Sequence, residues 1–139
     1  MADKVVQLRD RVPDSEKVTI NLGYVDLGRI DLLVQEGFFS NRTDFIRTAI
    51  RNELGRQSAE VSRSIERHML EMGLLALGVA ELEAARAAGE VLHVRVVGLV
   101  RIASEVTPEL ALETIGSLTV LGAVQASPQV KAALAARTK

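Results

Sequence analysis

Polar and apolar residues alternate strictly in one short segment near the start of the chain, and helical spacing follows it. Residues 17–22 read Lys-Val-Thr-Ile-Asn-Leu, and this period of two is typical of a half-buried strand. The next apolar residues recur at intervals of three and four: Leu27, Ile30, Leu33 and Val34. Gly37 stands where a left-handed residue ends a helix. The pattern predicts a strand and then a helix that closes at Glu36-Gly37.

Two further helices are predicted before residue 73. Asn41 is a good N-cap, and Asp44, three residues on, can complete a variant of the capping box. The apolar stripe of the second helix comprises Phe45, Ile46, Ala49, Ile50 and Leu54. After Gly55, a third stretch places apolar residues on one helical face: Val61, Ile65, Met69 and Met72. These stripes predict amphipathic helices.

The second half of the chain carries three apolar runs, each with a glycine in its middle and a short helix-like stretch after it. The glycines are Gly73, Gly98 and Gly122, so the spacings are 25 and 24 residues. Pro108 and Pro128 suit the first turn of a helix, where the missing N–H costs nothing. A strand and a short helix recurring at this period predict a small β/α repeat with parallel strands.

A single strand before the helices needs a pairing partner, because its backbone N–H and C=O groups would otherwise lack a ladder. No second strand is predicted before residue 69, so the economical partner is the same strand of another copy. In such a two-stranded antiparallel ribbon the inward residues, with apolar residues of the second helix, form a predicted dimer core: Val18, Ile20, Leu22, Phe45, Ile46 and Ile50. The outward residues are Lys17, Thr19 and Asn21.

The outward residues have the chemistry of base recognition, since a two-stranded ribbon fits the major groove of DNA. Asn21 can make a paired donor and acceptor contact with adenine, Thr19 can bond a base or touch a thymine methyl group, and Lys17 can reach guanine or phosphate. We therefore predict that these three residues read bases. The alternative is a solvated strand face.

The start of the second helix has the chemistry of phosphate binding. Its free backbone N–H groups, at Arg42, Thr43 and Asp44, and the helix dipole favour an anion there. The Arg42 guanidinium and the Thr43 hydroxyl add charge and a further donor. We predict that Asn41, Arg42 and Thr43 hold phosphate and so fix the register of the ribbon. Capping by Asn41 is compatible with this role.

The composition restricts the other classes of protein and site that this chain could represent. The 139 residues are 47% hydrophobic and 25% charged, with a net charge of −1; this is ordinary for a folded protein. Residues 1–73 hold 11 Lys and Arg against 12 Asp and Glu, so a positive face must come from local placement rather than a basic bias. The absence of cysteine excludes a disulfide framework, a thiolate metal site and a cysteine nucleophile. With no long apolar run and no apolar region near Met1, we expect a cytoplasmic protein without a membrane contact.

The segment from residue 17 to about 56 resembles the ribbon-helix-helix proteins of the CopG type, in the MetJ/Arc superfamily. The resemblance lies in Val18-Thr19-Ile20-Asn21-Leu22, in the helix end at Glu36-Gly37, and in residues 40–50, Ser-Asn-Arg-Thr-Asp-Phe-Ile-Arg-Thr-Ala-Ile. It implies that two chains intertwine, that the ribbon enters the major groove, and that the protein is a transcriptional repressor or an antitoxin. By position it assigns the same base-reading and phosphate-binding residues. Gly23-Tyr24 departs from the more polar helix entry of the family.

The two histidines and the carboxylates suggest no further chemistry. A nickel-responsive branch of the family uses His and Cys ligands, whereas this chain has only His68 and His93 and no Cys. We therefore expect structural histidines and no metal or other cofactor; the alternative is a symmetric metal site formed across subunits. No carboxylate is spaced with a nucleophile or base, and no glycine-rich phosphate loop matches a known spacing. We predict that the protein is not an enzyme.

The predicted fold class is α+β: an intertwined dimeric ribbon-helix-helix module and a small C-terminal β/α repeat domain with short parallel strands. The predicted segments are a flexible arm at 1–16, the DNA-binding module at 17–56, a connecting helix at 57–72 and an oligomerisation or sensing domain at 73–139. The predicted function is sequence-specific binding of double-stranded DNA by a homodimer, tetramer or larger assembly that acts as a repressor.

Three alternatives remain open from the sequence. An antitoxin would wrap a toxin with its C-terminal part, although such tails are often disordered until bound. A scaffold protein would stack its β/α units end to end and use the ribbon only to dimerise. A ligand sensor would bind a small-molecule effector, of unknown identity, in the repeat domain.

Overall fold

A computed structural model describes residues 14–139, and most of the predicted N-terminal arm, 1–16, lies outside the described residues. Within that range the chain is α+β, with six α-helices and one three-stranded parallel sheet. The helices are α1 (Tyr24–Gln35), α2 (Arg42–Arg56), α3 (Ser58–His68), α4 (Val79–Ala87), α5 (Pro108–Thr114) and α6 (Pro128–Leu134). The strands are β1 (Glu71–Leu77), β2 (Leu92–Ile102) and β3 (Ile115–Gln125), and a 3-10 turn at Ala135–Arg137 follows α6. The chain divides into two compact units, Met1–Glu53 and Leu54–Lys139.

In the N-terminal unit, α1 ends as its sequence predicts. Gly37 has φ of 87° and its N–H donates to the carbonyl of Val34 at 3.1 Å, while the N–H of Phe38 donates to the carbonyl of Leu33 at 3.0 Å. These two bonds are the Schellman motif, which uses a left-handed glycine to satisfy the last carbonyls of a helix. The predicted helix end at Glu36-Gly37 is confirmed.

In the C-terminal unit, the third predicted helix is shorter than its apolar stripe. Helix α3 ends at His68 because Met69 adopts a left-handed conformation with φ of 54° and the N–H of Leu70 donates to the carbonyl of Ile65 at 2.9 Å. Met72 lies in β1 instead. The prediction that Met69 and Met72 continue the helical face was therefore wrong. The first apolar run is a strand, because pairing with β2 satisfies its backbone.

The three central glycines lie side by side across the sheet. Gly73 of β1 pairs with Gly98 of β2, which pairs with Gly122 of β3, and their φ values are 138°, 140° and 126°. A Cβ on Gly98 would stand 2.0 Å from the carbonyl oxygen of Gly73, and one on Gly122 equally close to that of Gly98. The spacing of 25 and 24 residues thus brings together three positions where the backbone conformation favours glycine, and at two of them, Gly98 and Gly122, the close approach of the neighbouring strand requires it as well.

One face of the sheet and the helices α4 to α6 enclose the core. The strands contribute alternate residues, among them Val94, Val96, Val100 and Leu118, and the helices contribute residues such as Leu82, Leu110 and Val130, all nearly inaccessible to solvent. Short helices form here because each has a favourable start. Pro108 and Pro128 occupy the first turns, and the hydroxyls of Thr107 and Ser127 accept N–H bonds from Leu110 and Val130 at 3.1 and 3.2 Å. The parallel strands predicted from sequence are confirmed.

Candidate nucleic-acid interface

The alternating segment 17–22 lies outside the helices and strands of the single chain. All six of its residues are exposed. This includes the three apolar ones, since Val18 is 79%, Ile20 56% and Leu22 36% accessible. No strand of residues 14–139 pairs with the segment. Its pairing with a second copy, and the base-reading role of Lys17, Thr19 and Asn21, stay predictions. What the structure adds is that both faces of the segment are available.

The helices of the N-terminal unit also leave most of their apolar surface uncovered. Ile30 is the one fully buried residue among the described residues of this unit. Of the predicted dimer core, Phe45 and Ile46 are half-buried and Ile50 is 54% exposed. The large apolar side chains exposed on or near the helices are Tyr24, Val25, Leu32, Phe38, Ile50 and Leu54. So many exposed apolar side chains on a small unit indicate an interaction surface.

The start of α2 is capped on both sides. The N–H of Asp44 donates to Oδ1 of Asn41 at 2.8 Å, and the N–H of Ser40 donates to Oδ2 of Asp44 at 2.9 Å. Asn41 is therefore the N-cap that the sequence predicts. The Asp44 carboxylate reaches one residue further back than in the usual capping box, to Ser40 rather than to Asn41.

Two backbone donors at this helix start remain for a ligand. The N–H groups of Arg42 and Thr43 bond to no described residue, and both residues are exposed. They lie in the first turn, where the helix dipole favours an anion. This geometry suits a phosphate oxygen, although the N–H of Asp44, which the sequence analysis counts as a third free donor, is used by the Asn41 cap. Phosphate binding by Asn41, Arg42 and Thr43 stays a prediction.

The Arg42 side chain has a partner that the sequence analysis did not identify. Its Nε and Nη2 donate to the two carboxylate oxygens of Asp31 in α1, each at 2.8 Å. This bidentate geometry is the strong form of an arginine and carboxylate pair. It holds the pKa of Asp31 below its usual value and the pKa of Arg42 above its usual value, in both cases first through the hydrogen bonds. No sequence signal relates residues eleven positions apart in different helices.

The pair therefore depends little on pH near neutrality. A carboxylate with a lowered pKa stays ionised at neutral pH, and the ion pair is lost only as pH falls through that lowered pKa. Both side chains are about half exposed, so the contribution of the pair to folding stability is small. Its main effect is on position: it turns the guanidinium toward α1 and offsets its charge.

We expect Asp31→Asn to strengthen DNA binding several-fold at low salt, because it removes a negative charge and releases Arg42 for phosphate. The slope of log affinity against log salt concentration should steepen by about the amount that one additional phosphate contact contributes. Asp26→Asn is the matched control, since it removes the same charge from α1 but faces Arg29, at 3.7 Å, rather than Arg42. Fluorescence anisotropy across a salt series measures both. Equal effects of the two substitutions would show that Arg42 makes no phosphate contact.

Both histidines belong to the C-terminal unit. His93 in β2 has Nδ1 2.8 Å from the hydroxyl oxygen of Ser117 in β3, and His68 is exposed in the last turn of α3. Across residues 14–139 no three His, Cys, Asp or Glu side chains are grouped so that they could hold a metal ion. None of the helices there is both long and apolar enough to cross a membrane.

Comparison with known proteins identifies a family for this chain. The chain matches the Ribbon-Helix-Helix transcriptional regulator family over residues 13–131, a range that includes the alternating segment, both helices of the N-terminal unit and nearly the whole C-terminal sheet unit. No curated protein and no solved structure matches the chain. On the extent of the family match, the chain belongs to the Ribbon-Helix-Helix transcriptional regulator family.

Proposed function

We propose that this protein is a homodimeric, sequence-specific DNA-binding repressor that reads its operator through a two-stranded ribbon. One observation carries the proposal: the alternating segment 17–22 is exposed on both faces in a chain of this family. The apolar face, Val18, Ile20 and Leu22, pairs with the second copy. The polar face, Lys17, Thr19 and Asn21, enters the major groove and contacts base edges.

The start of α2 supplies the phosphate contacts. The amides of Arg42 and Thr43 point from the first turn toward a phosphate oxygen, and Asn41 keeps this turn ordered by capping Asp44 at 2.8 Å. Such contacts carry no sequence information, but they set the depth and register of the ribbon in the groove. Repression then follows from occupancy of the operator.

The dimer is supported by the amount of apolar surface that one copy leaves in water. With Ile30 alone buried among the described residues of the N-terminal unit, the unit has little core of its own. An intertwined second copy would cover the apolar face of the ribbon and the exposed stripe that includes Ile50. Since small units gain stability mainly by burying such surface, folding and dimer formation of this module are coupled.

A C-terminal unit with its own core also bears on the antitoxin alternative. Leu82, Val100, Ile115 and Val130 are completely or almost completely buried without any partner chain. A tail that orders only on a toxin would lack such a core. We propose instead that this unit holds copies of the regulator together, which raises DNA affinity by avidity.

The phosphate site is tested by two substitutions of the cap. Asn41→Ser keeps a good N-cap without charge, so DNA binding and stability should stay close to those of the original protein. Asn41→Asp also keeps the cap but places a negative charge beside the phosphate, so affinity should fall at least tenfold with an unchanged urea midpoint. Anisotropy titration with duplex DNA measures the affinities. Equal DNA binding by the two variants would contradict the proposed phosphate site.

A further inference from the structure

The sheet of the C-terminal unit has one apolar face that the core does not use. Because side chains alternate along each strand, the residues between the core positions point to the opposite side. The strand register aligns Met72 with Val97 and Leu121, and Leu74 with Leu99 and Ala123. These six residues form two adjacent apolar rows across all three strands and are called the open face below.

The open face is unusually accessible for a parallel sheet. Met72 is 73%, Leu74 56% and Leu121 60% exposed, while Val97, Leu99 and Ala123 are half-buried. Parallel sheets are normally covered on both faces, and their strands are accordingly apolar on both. Here the strands are also apolar on both faces, yet a single chain covers only one of them.

Polar residues border the open face at both ends of the strands. On one side Arg95 pairs with Thr119, and on the other Arg101 aligns with Gln125, its Nε donating to the amide oxygen at 2.9 Å. An apolar centre with a polar border is the anatomy of a protein interface.

The size of the open face indicates which partner covers it. Two rows across three strands occupy on the order of 200 Å² at ordinary strand spacings. A stable free-standing complex needs roughly 800 Å² from each partner. The covering surface must therefore already be held nearby, and a second copy joined through the ribbon is held in that way at high effective concentration.

We infer that the open faces of two copies of this chain pack against each other as a two-layer sheet sandwich within the regulator. The inference rests on the proposed dimer and names the surface through which the C-terminal units associate. A two-fold axis between the sheets and perpendicular to the strands would set each β3 antiparallel on its counterpart. Leu121 would then lie over Ala123 of the second copy, a large residue over a small one.

Cysteine cross-linking tests this packing directly, since the natural chain contains no cysteine. Val97→Cys and Leu99→Cys each place one thiol on the central strand of the open face. Leu112→Cys places one on the helix side of the same unit, where Leu112 is 38% exposed. Treated with a short bismaleimide, which can span the roughly 10 Å between packed sheets, at least one open-face variant should form a covalent dimer rapidly, with a yield unchanged by tenfold dilution.

The control fixes how the result is interpreted. Leu112→Cys should cross-link slowly and in proportion to protein concentration, as random collisions do. If neither open-face variant links faster than Leu112→Cys, the inference is overturned; this includes the case in which another element, such as α3, covers the face. Light scattering on the original protein distinguishes failure of the proposed dimer from failure of the sandwich alone. A monomer mass would refute the dimer of the proposed function, whereas a dimer mass without cross-linking would refute only the sandwich.

Discussion

Gly98→Ala is expected to be among the most destabilising single substitutions in the C-terminal unit, costing about 4 kcal/mol of unfolding free energy. The added Cβ would meet the carbonyl oxygen of Gly73 at 2.0 Å, and it would have to do so at a φ of 140°. The obstacle is backbone of the neighbouring strand, which cannot move aside as a flexible side chain could. Relief would require β1 and β2 to separate at their centre.

Gly73→Ala separates the clash from the backbone strain. Gly73 has nearly the same φ, 138°, but a Cβ there would meet nothing within 4 Å. It should therefore cost only the strain of an unfavourable conformation, about 1–3 kcal/mol. Urea unfolding followed by circular dichroism compares the two. An equal loss of unfolding free energy in both variants would contradict a steric clash at Gly98.

Ile20→Asp is expected to abolish the dimer and DNA binding together. In the proposed ribbon Ile20 lies on the inward face, and a carboxylate there would be buried without a partner, at a cost of several kcal/mol per chain. Because the module has little core of its own, losing the ribbon also removes the partner surface on which α1 and α2 depend. Light scattering should then give the monomer mass.

Thr19→Asp is the control for that substitution, because it puts the same charge one residue away, on the outward face. It should leave the dimer mass unchanged and weaken DNA binding at least tenfold by repulsion from phosphates and loss of a base contact. A dimer that survives Ile20→Asp, or that fails equally in both variants, would contradict the inward and outward assignment of the alternating segment.

Local signals in the sequence predict the local features of this fold correctly. The Gly37 helix end and the Asn41 cap each depend on bonds within a few residues, and both occur where the sequence places them. The starts of α5 and α6 follow from Pro108 and Pro128 for the same reason. The glycine spacing further indicates three strands of one kind, although it does not show that the glycines meet.

Features that depend on contacts between distant residues cannot be predicted from the sequence pattern. Helical spacing through Met69 and Met72 favours a longer α3, but pairing with β2 prevails over this local preference. The bond between Arg42 and Asp31 joins two helices through side chains that any exposed position could carry. Only the strand register reveals the open face, since it aligns residues such as Leu99 and Ala123 that lie 24 positions apart.

Whether the ribbon recognises bases is best measured by selecting bound sequences from a random pool of duplex DNA with the original protein and with Asn21→Ala. We expect the original protein to enrich a defined two-fold symmetric sequence. Asn21→Ala should still bind DNA but lose discrimination at one position in each half-site, by about 1–3 kcal/mol. An unchanged preference in Asn21→Ala, or no enrichment by the original protein, would contradict recognition of bases by the ribbon.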